Sequence, residues 1–554
     1  MNTDSLSHRF DEAFHAGNVS LALSLARQWT AEQPEIAASH TALGMALQAS
    51  QRPHEAIGAL SLALHRDPNQ HRAYPWLCAA LLFVNSPAVA VEICALARQT
   101  ERPDPDMLWA LADLFLVIAP DYARELLDLA LLESPDHQKA SLQALLLNLQ
   151  QQNIGAAQAV LEQFKSASTD TLHAEILNIL LAQESGQASL ANDMLHAALR
   201  RYPDTPSLLF NAAQLALQQG NRELARTQLQ QSLDQHALPD AAFLLAGLDL
   251  LERNWTAGFK HYESRRLVSR KMPFFHTPDL PEWRGQKPLA ESRILVVDEQ
   301  GYGDTLMFSR FLPHLQSMVA KLGFQTRPAL YPLFAHQPRF VDIELFAGYG
   351  EIQADSYDYF IPLLSLPERL GITPSRNQLP YLTAPKCLLS GWKHPARAHP
   401  ELPGIGLVWR TNSPTQSSSR RSFSDAEATE LINVCQGDWY SLTVGNLQPE
   451  SMNATCTDWS GRLLNFAETA AAISALDAIV SIDTAVAHLA GALGKPVLLL
   501  LNNDPEWRWA TDPERTDQSY WYPEITLLKL KPDAQWPSLF PAIQYWLGQF
   551  RQQK

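Results

Sequence analysis

At 554 residues the chain is too long for a single hydrophobic core, so several folded units are expected. Hydrophobic residues make up 46% and charged residues 18%, with no long polar or acidic tract, which excludes a largely disordered chain. The formal net charge of −15 argues against nucleic acid as a main partner, because phosphate backbones are bound by a surplus of lysine and arginine.

The N-terminal segment MNTDSLSHRFDEAF is polar and lacks the layout of a secretory signal. No window approaches the roughly 18 uninterrupted apolar residues of a membrane span. The five cysteines (Cys78, Cys94, Cys387, Cys435 and Cys456) are scattered, with no CxxC pair and no zinc-type spacing, so they read as free thiols in a reducing compartment. A cytoplasmic protein without membrane insertion is expected.

A repeat comes first along the chain. Alanines stand at Ala22, Ala56, Ala90, Ala123, Ala157, Ala191 and Ala225, at spacings of 34, 34, 33, 34, 34 and 34 residues. Pro34, Pro68, Pro135 and Pro203 keep the same beat. In the clearest copy, residues 40–68, Leu43, Gly44 and Leu47 share one face of a first helix, and Ala56, Leu60 and Ala63 one face of a second. Small residues at fixed places let two antiparallel helices approach closely, and the proline ends the second. The pattern resembles the tetratricopeptide repeat over seven copies, with a degenerate eighth through NWTAGFKHYESRR to about residue 270. Such solenoids bind extended peptides or protein surfaces, so the array reads as a docking arm.

After residue 270, Pro, Phe and Trp crowd the stretch MPFFHTPDLPEWRGQKPLAESR, a linker or packing strap over 271–292. The apolar run Ile294–Val297 then reads as a buried parallel strand, and Thr305 onward as a helix. Between them lies Gly301-Tyr302-Gly303-Asp304, where glycines allow a ligand's close approach and Asp304 is either a helix N-cap or a chemical group. A second unit of this type begins at GIGLVWRTN, residues 404–412, and ends at AIVSIDTAVAHLAGALGKPVLLLL, residues 478–501. There Ala478–Ile482 is a strand, Asp483 caps a helix, and the next strand starts near Pro496. Thr484 and His488 are four apart and share a helical face. Free backbone N–H groups, a hydroxyl and small side chains at that helix start suit a diphosphate, while Asp483 suits capping or holding a hydroxyl. His488 either donates to phosphate or fills a polar niche in the core.

The segment DTAVAHLAGALGKPV resembles the donor-site motif of heptosyltransferase-like glycosyltransferases, which have the two-domain GT-B fold. The order EQGYGDTLMFSRFLP, LVWRTN, SIDTAVAHLAGALGKPV, PEWRW is similar to bacterial proteins that carry tetratricopeptide repeats ahead of such a domain. The resemblance implies an α-helical solenoid over 3–270, an acceptor-side Rossmann-like half over 293–395 and a donor-binding half over 396–554. It makes Asp304 the base that deprotonates an acceptor hydroxyl. Gly303, Arg410, Asn412, Arg421, Asp483, Thr484 and His488 fall on the donor phosphates, with Arg410 gripping phosphate oxygens and Arg420 a further candidate. Trp507, Arg508 and Trp509 either stack on the donor or pack the C-terminal region. The implied reaction is inverting, and neither a metal nor a cofactor is expected beyond the nucleotide sugar itself. The implied acceptor is a protein held by the array, such as flagellin. The alternatives are a lipopolysaccharide or other glycan acceptor, and a non-catalytic scaffold with a degenerate transferase domain.

Overall fold

The computed structural model describes residues 3–551 apart from 17, 51, 85, 101, 117–118, 269–277, 279, 349–355, 375–378, 393–401, 412–420, 445–451, 453–454, 503–505 and 532–533. Two compact units result, one built on Met1–Leu238 and one on Pro239–His276 with Leu280–Lys554. Among the described residues no helix is long and apolar enough to cross a membrane.

The first unit runs as helix pairs from α1 (Thr3–His15) and α2 (Val19–Glu32) to α13 (Pro206–Gln218) and α14 (Arg222–Gln235). All seven register alanines fall in the second helix of a pair, and all seven are fully buried. Each pair therefore closes over a methyl group where a larger side chain would hold the helices apart. The start of the second helix is specified twice over. Asn18, Asn153 and Asn221 accept a hydrogen bond from the first turn of their helices, while Pro53, Pro87 and Pro120 occupy the corresponding starts in other copies. Pro34, Pro68, Pro135 and Pro203 each lie just beyond the end of a second helix.

Gly44, on α3 (Ala37–Ala49), shows how tight the fit is. A Cβ added there would lie 2.3 Å from Leu60 Cγ on α4 (Pro53–Arg66). The substitution Gly44→Ala is expected to destabilise the array by about 1–3 kcal/mol, despite alanine's better helix propensity, because the overpacking exceeds the gain. Thermal unfolding followed by circular dichroism reads it; an unchanged or raised midpoint would mean that the pair has room to give.

Residues read above as an eighth repeat do form a helix pair, α15 (Pro239–Leu251) and α16 (Trp255–Tyr262), followed by a turn of 3-10 helix at Glu263–Arg266. The pair belongs to the second unit. Ala246, Leu250, Trp255, Phe259 and Tyr262 share its core with Leu306, Phe308 and Trp507.

Two parallel sheets organise the remainder. The first has the order β3-β2-β1-β4, from β1 (Arg293–Val297), β2 (Lys321–Thr326), β3 (Glu344–Ala347) and β4 (Tyr359–Pro362). The second has the order β10-β9-β8-β5-β6-β7, from β5 (Gly404–Val408), β6 (Asp438–Ser441), β7 (Cys456–Asp458), β8 (Ala478–Ile482), β9 (Val497–Leu501) and β10 (Ile525–Lys529). Strands β5, β8 and β9 are buried along their whole length, as continuous apolar runs in a sheet covered on both faces must be. In each sheet the chain winds outward one way and then returns to the other side of its first strand. The reversal lies between β1 and β4 in one sheet and between β5 and β8 in the other, and open α/β sheets bind ligands at the carboxyl ends of such strand pairs. This is the architecture expected: a helical repeat array followed by two Rossmann-like sheets, consistent with a GT-B-like fold.

Candidate active site

The chain leaves β1 through Asp298, Glu299 and Gln300, all buried, and enters helix α17 (Tyr302–Phe308). The helix starts three residues earlier than the sequence pattern indicates, because Gly301 and not Asp304 takes the N-cap position. Asp304 sits in the first turn and reaches back, Oδ2 accepting the Gly301 N–H at 3.0 Å. A carboxylate there satisfies an orphan donor and faces the positive end of the helix. Arg327 fastens the turn from the other side. Its Nε donates to Asp298 Oδ2 (3.1 Å), Nη1 to the Gln300 carbonyl (2.8 Å) and Nη2 to Thr305 Oγ1 (2.8 Å), with the guanidinium over the Tyr302 ring.

The partner of Asp304 comes from some 200 residues further on. Arg508 Nε donates to Asp304 Oδ1 at 2.6 Å, and Arg508 Nη2 reaches both Tyr262 Oη and Gln300 Oε1 at 3.2 Å. Tyr262 in turn donates to Gln300 Oε1 at 3.1 Å. Burial above all keeps this phenol protonated, its pKa pushed up to about 12, while the neighbouring carboxylates hold Arg508 firmly charged. Each Asp304 oxygen uses one lone pair on these bonds and retains another. The carboxylate can therefore still accept the proton of an incoming hydroxyl.

Behind α17 stands His488, 3% exposed, stacked on Trp509 with ring centroids 4.4 Å apart. A Cβ on Gly303 would lie 2.6 Å from its Cδ2, so the glycine expected to admit a ligand instead admits this imidazole. Tyr381 donates to the Leu306 carbonyl (3.0 Å) and accepts from Arg310 (3.2 Å), and the Tyr522 hydroxyl is hydrogen-bonded to His488 Nδ1 (3.0 Å). Arg310 itself is buried, bonded to the carbonyls of Met307 and Trp521 and packed against the rings of Tyr381, Trp521 and Tyr522.

Burial holds the His488 pKa down to about 3, with Asp304 opposing and Arg508 and Arg310 adding to the shift. The unfolded chain takes up this proton near the ordinary value of 6.5 and the folded chain does not, so stability is lost as pH falls from about 6.5 toward 3. His488→Gln should remove that component. Between pH 7.5 and 5.5 the wild type is expected to lose about 1.4 kcal/mol more than the variant, read from denaturant midpoints. An identical loss in both would place the proton uptake elsewhere.

The second strand reversal gathers the other sequence candidates. Arg410 follows β5, and its Nη1 meets both oxygens of Asp425 at 2.9 and 3.0 Å. At the end of β8, Asp483 pairs with Arg421 (Nη1 to Oδ2, 2.8 Å). Thr484 and not Asp483 holds the N-cap position of the helix Ala485–Ala492, and its side chain makes no cap bond. The expected capping role of Asp483 is thus corrected, since its carboxylate neutralises Arg421 instead. The Thr484 hydroxyl lies 3.3 Å from Ser481 Oγ. Asn412 and Arg420 lie outside the described residues. Asp304 and His488 are thus brought together on one side, and Arg410, Arg421, Asp483 and Thr484 collect at the β5–β8 reversal.

Sequence reasoning missed Tyr262, Gln300 and Arg310, and left Arg508 open between contact with the donor and packing. Only Gln300 carries a local signal, since it opens the glycine turn. Trp507 packs against Phe259, Tyr262, Phe308 and Trp521, and Trp509 against His488, so both tryptophans are internal.

Protein FlbA of Caulobacter vibrioides is 25% identical over 374 residues, an alignment covering 59% of this chain and 59% of FlbA. The match thus spans less than two thirds of that relative's length. Among solved structures, a tetratricopeptide repeat protein from Parabacteroides merdae aligns with TM-score 0.31 and 13% identity over 49% of this chain and 94% of its own. The pilF protein of Pseudomonas aeruginosa aligns with TM-score 0.29 and 19% identity over 37% of this chain and 93% of its own. Residues 441–519 match the model of glycosyltransferase family 9 (heptosyltransferase), a stretch that holds Asp483, Thr484, His488 and Arg508 and makes the C-terminal part of the chain heptosyltransferase-like.

Proposed function

We propose that this protein is a cytoplasmic glycosyltransferase that moves a sugar from a nucleotide-sugar donor to Ser or Thr hydroxyls of a protein acceptor held by the repeat array, with flagellin the first candidate. The observation that carries the reading is the buried Asp304 carboxylate, fixed by Arg508 and the Gly301 N–H at the carboxyl end of β1, with spare lone pairs for a proton. In the reaction the acceptor oxygen attacks the anomeric carbon, the bond to the nucleotide diphosphate breaks with its electron pair on the leaving oxygen, and the hydroxyl proton passes to Asp304. Attack from the face opposite the leaving group inverts the anomeric centre.

The leaving diphosphate is assigned to the β5–β8 reversal. The N-terminus of the helix Ala485–Ala492 offers backbone N–H groups there, and Arg410 and Arg421 supply positive charge now shared with Asp425 and Asp483. The nucleotide sugar is substrate, and no metal or cofactor enters the scheme. A protein acceptor is favoured over a glycan because a solenoid of helix pairs has a use in holding polypeptide and none in holding a saccharide.

Purified full-length protein tests the reading. It is incubated with unmodified flagellin and the small-molecule filtrate of its native cells, which supplies the donor pool. The expected result is a mass increment on flagellin equal to one or more sugar residues. Sugar appearing on a glycan with flagellin unchanged would move the acceptor class, and no transfer to either would leave a scaffold.

A further inference from the structure

Gln300 occupies its place at a cost in both backbone and side chain. Its φ of +59° lies in the left-handed region, though the residue carries a full side chain and is 4% exposed. The other non-glycine residues of positive φ among those described are Gln152 and Arg253, and each is the second residue past the end of a helix, where a left-handed residue ends the helix in the ordinary way. Gln300 follows a strand and precedes a helix, so no such cap explains it. The conformation is held from outside, by Arg327 on its carbonyl and by Tyr262 and Arg508 on its side-chain oxygen.

Those contacts also fix which way the amide faces. A guanidinium only donates, so the atom toward Arg508 must be Oε1, and Nε2 is turned away from it. Nε2 is buried and has no hydrogen-bond partner among the described residues. A buried donor left unpaired is unfavourable, and a methionine would fill the same volume without one. The unpaired N–H also has a defined position, because its amide shares Arg508 with Asp304.

We propose that Gln300 is a substrate-binding residue whose side-chain N–H donates to a substrate oxygen beside Asp304, with Tyr262 and Arg508 acting as positioning residues that aim the amide. The proposal rests on the transferase reading above. The ligand atom is a hydrogen-bond acceptor, a hydroxyl or carbonyl oxygen of either the protein acceptor or the donor sugar. Through Tyr262, the helix pair α15–α16 then contributes to the site, and a transferase cut off at residue 270 would lack that contribution.

The test returns full-length wild type, Gln300→Met and Gln300→Glu to a strain deleted for the gene and reads the intact mass of flagellin. Methionine removes the donor and the acceptor without adding charge; glutamate keeps an oxygen facing Arg508 and Tyr262 and replaces the donor by a carboxylate oxygen, so a loss shared by both variants is the effect of the missing donor and not of the added charge. Both variants are expected to lower modified flagellin at least tenfold on protein that its melting curve shows to be folded. Purified proteins then distinguish the source of the oxygen. A KM raised for flagellin points to the acceptor, and a raised requirement for the donor filtrate points to the sugar. If either folded variant modifies flagellin at the wild-type level, the assignment of Gln300 is overturned while the transferase reading stands. If wild type itself restores no modification, the reading as a flagellin transferase falls and this assignment falls with it.

Discussion

Replacing Asp304 by asparagine is expected to lower sugar transfer by about 10²–10⁴-fold, the range a positioned general base contributes. The substitution keeps the side chain's size but removes the proton acceptor. It also disturbs the local bonding, because the Gly301 N–H and Arg508 both donate to this carboxylate and asparagine offers them a single oxygen. A stability cost of about 1–3 kcal/mol is therefore expected as well, too small to unfold a unit of this size. The two effects separate when the rate is measured on protein shown to be folded by its melting curve. Transfer at the wild-type rate would remove Asp304 as the base.

The largest expected effect on stability lies behind the site, at Arg265. This arginine and Glu299 are each 1% exposed, and they pair through two hydrogen bonds, Nε to Oε2 at 2.9 Å and Nη2 to Oε1 at 2.7 Å. The remaining capacity is also used. Arg265 donates further to Glu263 and Ser365, and Glu299 accepts the Leu364 N–H. Because Glu299 immediately precedes Gln300 and Leu364 follows β4, the network ties the turn after α16 to both strands at the first reversal. Arg265→Ala leaves a buried carboxylate without its cation and is expected to cost about 3–5 kcal/mol. The double change Arg265→Met with Glu299→Gln should recover most of that loss, since it removes the stranded charge. Eleven of the fourteen tryptophans follow residue 238, so denaturation followed by tryptophan fluorescence reports on this unit. A single variant as stable as wild type would show that solvent or another cation reaches Glu299.

The fold was legible because its signals are periodic or continuous. Every register alanine proved buried in a second helix, since a close helix crossing demands a small residue at the same place each time. The apolar runs at β1, β5 and β8 needed no partner to be recognised, because a strand covered on both faces is apolar throughout. Helix starts were less legible. In the turn at Gly301–Asp304 the cap is a glycine, which leaves no side-chain signature, and at Asp483–Thr484 the carboxylate is claimed by Arg421. The Asp304 site was legible only on its own strand. Arg508 and Tyr262 converge on it from about 200 residues after and 40 before, and no local pattern records such a meeting. The positive φ of Gln300 is equally silent in sequence, since glutamine has no preference for that region.

Transfer of sugar to a protein by this chain is tested most directly by the intact mass of flagellin from a strain deleted for the gene. Flagellin is expected to lose the mass of its sugars in the deletion strain, to regain it with the wild-type gene and not to regain it with Asp304→Asn. Flagellin of unchanged mass in the deletion strain would contradict the proposed acceptor, and full restoration by Asp304→Asn would contradict the proposed chemistry.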